Sequence, residues 1–207
     1  NGLLNLISTC FKKSRPSDVL CQIGSSCFVQ LIVSSSPKFS GKDWDLVFSQ
    51  LKSITSVMNA PANLQQATAA ANLTPMVIAN IEIQCKTQLL LIESIGEIFN
   101  AQYETITTAH AEKLLLILFD LYESAKNFNE SDACVNLKRV NDCIPFGQFI
   151  QQEVDSLSIY IKSLYRMFVD RREAAQDRRE YGSKHLFQII EEVITRYLVK
   201  CSIIQPP

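Results

Sequence analysis

Residues 148–170 read QFIQQEVDSLSIYIKSLYRMFVD, and this one stretch carries two faces. Ile150, Val154, Leu157, Ile161, Leu164 and Phe168 recur at spacings of four, three, four, three and four, the seam that a helix turns toward a neighbouring helix. The second face holds Phe149, Ser156, Tyr160, Ser163 and Met167, where two serines seven residues apart leave room for another helix to come close. A helix contacted on both sides is typical of a solenoid, in which each element is sandwiched between neighbours.

Working outward, the same helical period covers nearly the whole chain, and no segment sustains a two-residue alternation. The fold class is therefore read as all-α, with about eight helices. The opening residues Leu3, Leu4, Ile7, Cys10 and Phe11 look like the end of a helix stopped by Lys12, Lys13 and Pro16. Ser17 can cap a second helix with a buried stripe of Val19, Leu20, Ile23, Cys27, Leu31 and Ile32. Ser40 and Asp43 form a capping-box-like pair ahead of Trp44, Val47, Phe48, Leu51, Ile54 and Met58. At that spacing the single tryptophan, Trp44, reads as a core anchor.

Residues 59–75, NAPANLQQATAAANLTP, offer only Leu64 and Leu73 as large apolar side chains, so the expectation there is a flexible connector. A long helix follows from about Pro75 to Phe99, apolar around much of its circumference and so expected inside. Thr107 or Thr108 can cap the next, which ends near Phe128. A shorter helix spans Asp132 to Asn141, and the last carries Leu186, Ile189, Ile190, Val193, Tyr197 and Leu198. The charge run at 171–182, RREAAQDRREYG, reads as a solvated loop.

Composition excludes several function classes. The 207 residues are 47% hydrophobic, and 20 Lys+Arg against 21 Asp+Glu leave a net charge of −1, which argues against nucleic acid as a partner. The longest uncharged run, Ser53–Ile81, is broken by Pro61 and Pro75 and does not suit a membrane span. The chain begins at Asn1 without a leader pattern and reads as part of a longer protein. Seven cysteines at irregular spacing read as buried reduced thiols. His110 and His185 stand 75 residues apart with no Cys or carboxylate at metal-ligand spacing, and they are assigned surface or capping roles. Asp43 with Asp45 and Glu191 with Glu192 are neighbours that do not share a helix face. No catalytic, cofactor-binding or metal residue is assigned, and no cofactor is expected.

Several segments carry a resemblance in order along the chain: Lys38-Phe39 and Trp44-Asp45, Gln88-Leu89-Leu90-Leu91-Ile92, Glu123-Ser124-Ala125 with Phe128-Asn129, Gln152-Glu153, Ser156-Leu157, and Leu164 to Asp170. Together they resemble the C-terminal region of the large brefeldin A-inhibited Arf guanine-nucleotide exchange factors. The stretch Ala133-Cys134-Val135-Asn136-Leu137-Lys138 departs from the family's pattern. The resemblance implies HEAT-like or armadillo-like repeats downstream of a catalytic exchange domain whose glutamate loop has no counterpart here. It further implies a non-enzymatic, regulatory segment at the Golgi and trans-Golgi network, cytoplasmic and peripheral to the membrane through its partners. Those partners would be small GTPases of the Arf, Arf-like or Rab classes, other domains of the parent protein, and a second copy by self-association. Two alternatives stand beside this reading: an unrelated helical scaffold such as a vesicle tether or coat adaptor, and a small cysteine-dependent enzyme, which needs an exposed thiol of lowered pKa beside a base.

Overall fold

Eight α-helices follow one another from Asp18 onward, with no strand among the described residues. They are α1 (Asp18–Ser35), α2 (Gly41–Val57), α3 (Ala60–Ala69), α4 (Pro75–Gln102), α5 (Thr108–Asn129), α6 (Asp132–Val140), α7 (Phe146–Phe168) and α8 (Gln176–Ile204). This computed structural model describes residues 2, 6, 9, 11, 18–140 and 143–204. The chain divides into two compact units, Asn1–Ile159 and Tyr160–Pro207, so α7 begins in the first and ends in the second. Most of the expected opening helix, with Leu3, Leu4, Ile7, Cys10 and the expected cap Ser17, lies outside the described residues; Phe11 is buried. No described helix is long and apolar enough to cross a membrane.

Local chemistry explains where the helices start. The Ser40 N–H and hydroxyl both donate to Asp43 Oδ2, at 2.9 and 2.6 Å, closing the first turn of α2. Thr74 Oγ1 accepts from the Val77 N–H with Pro75 at the first position of α4, and Thr107 Oγ1 accepts from the His110 N–H to open α5. The whole expected face of α2 is buried, with Trp44 only 5% exposed.

In the first unit the helices repeat. The Ser25 and Ser94 hydroxyls lie 2.8 Å apart, and Gln102 Nε2 donates to the Val33 carbonyl at 3.4 Å. Residue numbers rise together along both contacts, so α1 and α4 run parallel with an offset of 69. Asp45 of α2 pairs with Lys113 of α5, and Asn59, just past the end of α2, with Ser124, which gives the same sense with offsets of 68 and 65. Gln152 Nε2 donates to the Cys85 carbonyl, and Ile159 sits over Gly96, so α4 and α7 are parallel as well. Equivalent helices of successive repeats stacked in parallel are the signature of a solenoid. The approach at Gly96 is close: a Cβ there would meet Ile159 Cγ2 at 3.0 Å.

Four expectations from sequence need correction. Residues 60–69, expected to belong to a flexible connector, form the packed helix α3. Asn59 Oδ1 caps it by accepting from the Ala62 N–H, and Leu64 is fully buried in a cluster with Cys85, Phe128, Cys134 and Phe149. α3 closes through the Asn72 N–H to the Ala67 carbonyl and the Ala71 N–H to the Thr68 carbonyl, a Schellman end with Ala71 at φ 51° where glycine is usual. On α1 the buried face is Cys21, Ser25, Phe28 and Ile32, while Val19, Leu20, Ile23 and Cys27 are exposed. Ser25 on that face meets Ser94 of α4, while Phe28 and Ile32 supply its apolar bulk. On α7 the serine-bearing face is buried from Phe149 to Met167, while Val154 is 57% exposed and Ile150 49%.

The fourth correction lies in the second unit. The run at 171–182 is not a solvated loop: a 3-10 turn at Glu173–Ala175 leads directly into α8 at Gln176. Arg178 is buried, and Arg179 Nη1 donates to the Asp170 and Arg172 carbonyls, so two of its arginines are structural. Gly182 packs on the end of α7, where a Cβ would stand 2.7 Å from the Phe168 amide nitrogen and 2.8 Å from the Leu164 carbonyl oxygen. No side chain fits there without moving backbone.

Candidate functional site

The polar residues singled out from sequence are dispersed, and each has a structural setting. His110, in the first turn of α5, rests against the rings of Trp44 and Phe48, with centroids 5.8 and 5.5 Å away. Burial is the main force holding its pKa below the ordinary histidine value; Lys113 adds to this and Asp45 opposes it. Its Nδ1 is buried without a hydrogen-bond partner. One turn on, Lys113 Nζ meets Asp45 Oδ1 at 2.5 Å on an exposed edge. Asp43 is spent on the α2 cap, and its carboxyl is lowered by the Ser40 hydrogen bonds.

His185 stacks on Tyr181 with centroids 4.0 Å apart, and its Nδ1 lies 3.0 Å from the Tyr181 carbonyl oxygen. It sits within α8, so it is not a cap. Glu191 is exposed and Glu192 half-buried. Among the described residues no cluster of His, Cys, Asp and Glu could hold a metal ion.

The cysteines divide by burial. Cys21, Cys85 and Cys134 are buried as expected, whereas Cys27 and Cys143 are exposed; Cys10 and Cys201 fall where side chains are not described. Burial pushes the Cys85 thiol well above its ordinary value, although Gln152 partly opposes this. That is the opposite of the activation a cysteine nucleophile needs.

What remains to act on other molecules is surface. Ile150 and Val154 stand one turn apart on the outer side of α7, and Leu157 beside them is half-buried. In the second unit Phe187, Ile190, Ile194 and Leu198 of α8 follow one another at spacings of three, four and four, all exposed. In the first unit Val19, Ile23 and Val33 give α1 an apolar outer side as well. Stripes of this kind on helices mark places where other protein surfaces pack. The sequence reading located the stripe on α7 but took it for interior; on α8 it named Ile190 and Leu198 but not Phe187 and Ile194.

Comparison with known proteins bears on what these surfaces serve. The chain is 23% identical over 236 aligned residues to the ADP-ribosylation factor guanine nucleotide-exchange factor sec72 of Schizosaccharomyces pombe. That alignment covers 95% of this chain and 13% of the relative, so the chain spans only a small part of that protein's length. No solved structure matches. The family described as the BIG2 C-terminal domain matches residues 86–203, from within α4 to nearly the end of α8. A parallel-stacked helical chain with apolar outer faces, related along most of its length to an Arf exchange factor, thus belongs to the BIG2 C-terminal domain family.

Proposed function

We propose that this chain is a non-catalytic regulatory and protein-interaction segment of a large Arf guanine-nucleotide exchange factor, one helical-repeat portion of a longer protein. The observation that carries the reading is the family match over residues 86–203, joined to an exchange-factor relative aligned over 95% of the chain. It favours this reading over an unrelated tether or adaptor scaffold. The apolar stripes on α1, α7 and α8 support a role exercised through surfaces.

In this proposal the segment assigns no residue to catalysis and holds no cofactor or metal. It acts from the cytoplasm on the Golgi and trans-Golgi network membrane, which it reaches through its partners. It docks membrane-bound small GTPases of the Arf, Arf-like or Rab classes, packs on other domains of its parent, and self-associates. A GTPase that prefers one conformation of the parent shifts its balance between restrained and active states by its differential affinity for the two, and by no more than that.

Two measurements test this. Fluorescence-monitored nucleotide release from Arf should be unchanged by the purified 207-residue chain, and acceleration that grows with its concentration would overturn the non-catalytic assignment. Capture of Golgi GTPases on the immobilised chain should differ between GDP and GTP states for at least one of them. Equal or absent capture across Arf, Arf-like and Rab members would overturn the docking role.

A further inference from the structure

Along the parallel pair α1 and α4 two clefts join, sharing Val29, Gln30 and Glu97, and the larger has a volume of about 860 Å³. The larger cleft is mainly apolar, with Val29 and Val33 from α1 and Ala101 from α4 beside Gln30, Ser34 and Asn100, whereas the smaller one, toward Leu90, is half polar, with Ser25, Ser26 and Ser94. Val33 is 37% exposed. Charge is confined to one wall, where Glu93 and Glu97 stand exposed one helical turn apart, and the described lining residues include no Lys or Arg. From Leu90 to Ala101 the groove runs for roughly 16 Å, or three turns of helix.

We propose that this groove docks a basic amphipathic helix, its apolar side chains on Val29, Val33 and Ala101 and its Lys or Arg side chains, spaced one turn apart, against Glu93 and Glu97. The occupant is helical because the backbone groups along α1 and α4 are already paired within their own helices. An extended peptide would find no backbone edge to pair with, whereas a helix brings its hydrogen bonds with it. The occupant is basic because Glu97, which borders both clefts, and Glu93, which borders the smaller one, make a like-charged helix unfavourable and an opposite one favourable. α1 lies outside residues 86–203, so the groove is built partly by sequence beyond the matched family.

The inference rests on the reading of the chain as an interaction segment, and names the chemistry of one partner. Its test is a charge swap with the full chain and a fluorescent synthetic helix of about 14 residues, bearing leucines on one face and lysines flanking them. Fluorescence anisotropy at low salt should report saturable binding. Glu93→Lys with Glu97→Lys should weaken it about tenfold, and a peptide with glutamates in place of the lysines should bind the doubly substituted chain better than the original. Circular dichroism confirms that the exposed substitutions leave the fold intact. Binding indifferent to the swap would overturn the proposal. So would a dimer in sedimentation that Val33→Asp dissolves, since it would assign the groove to a second copy. A chain that ignores the peptide yet captures a GTPase in one nucleotide state would overturn the groove alone and leave the interaction-segment reading standing.

Discussion

α2 and α7 carry apolar seams of nearly the same spacing, yet α2 buries its seam completely while α7 leaves Ile150 and Val154 in solvent. The difference lies in what else each helix offers. α2 is polar behind its seam, with Lys42, Asp45 and Lys52 exposed, so one face is all it can bury. α7 has a second face on which Gln152, Ser156 and Ile159 line up, and there it meets α4: Gln152 bonds the Cys85 carbonyl and Ile159 nests over Gly96. Small residues on both helices shorten the distance between backbones, and the dispersion attraction of two closely apposed helices outweighs the burial of two branched side chains. Hydrophobic spacing names the faces a helix can bury; the size of the smallest residues decides which it does bury.

The largest test of that contrast is Trp44→Ala on α2, expected to cost about 3–5 kcal/mol in chemical denaturation because the ring leaves a core cavity. A loss under about 0.5 kcal/mol, the surface scale, would remove α2 as the buried reference. Next comes the small face of α7. Ser156 is fully buried with its hydroxyl on the Gln152 carbonyl, and Ser156→Leu should cost about 1–3 kcal/mol by forcing α4 away, although it makes the helix more apolar. Stabilisation by that change would mean the face is not close-packed.

A smaller effect belongs to His110, half-buried on the Trp44 and Phe48 rings. Its folded pKa lies below the unfolded value near 6.5, so the folded state binds its proton less readily. Its contribution to stability is whole above that value and is lost as pH falls through the unfolded value toward the lowered folded one. Between about pH 7 and pH 5 the denaturation midpoint should fall more steeply in the native chain than in His110→Phe. Equal slopes would place the ring in solvent. The smallest effect should come from Ile150→Ser with Val154→Ser, within about 0.5 kcal/mol for each, with lower retention on a hydrophobic column. A loss of several kcal/mol would bury the outer seam of α7 and erase the contrast.

These cases show what the sequence could disclose. Thr107, Ser40 with Asp43, and the six apolar positions of α2 were legible because cap and period are local signals. The ordered blocks from Gln88 to Asp170 pointed to exchange factors, and the matched family spans them. α3 was missed because its burial depends on Cys85, Phe128 and Phe149, which arrive from α4, α5 and α7. An Asn two residues before a Pro, at Asn59 and Pro61, was the available signal for its start. Arg178 and Arg179 were lost in a charge run because their partners are fixed by the turn after α7. The candidate surfaces were least legible of all: they are the faces left over once packing is decided, and no residue type marks a remainder.

The offset of 69 between α1 and α4 also sets a clock for synthesis. A ribosome adding roughly 5–20 residues per second completes the α4 side of each contact about 3–14 s after the α1 side. Helices form in about a microsecond, so α1 has time to form long before its α4 partner exists. Throughout that interval Ser25 and Val33 of α1 wait for Ser94 and Gln102, and the face that α4 will meet stands open to solvent.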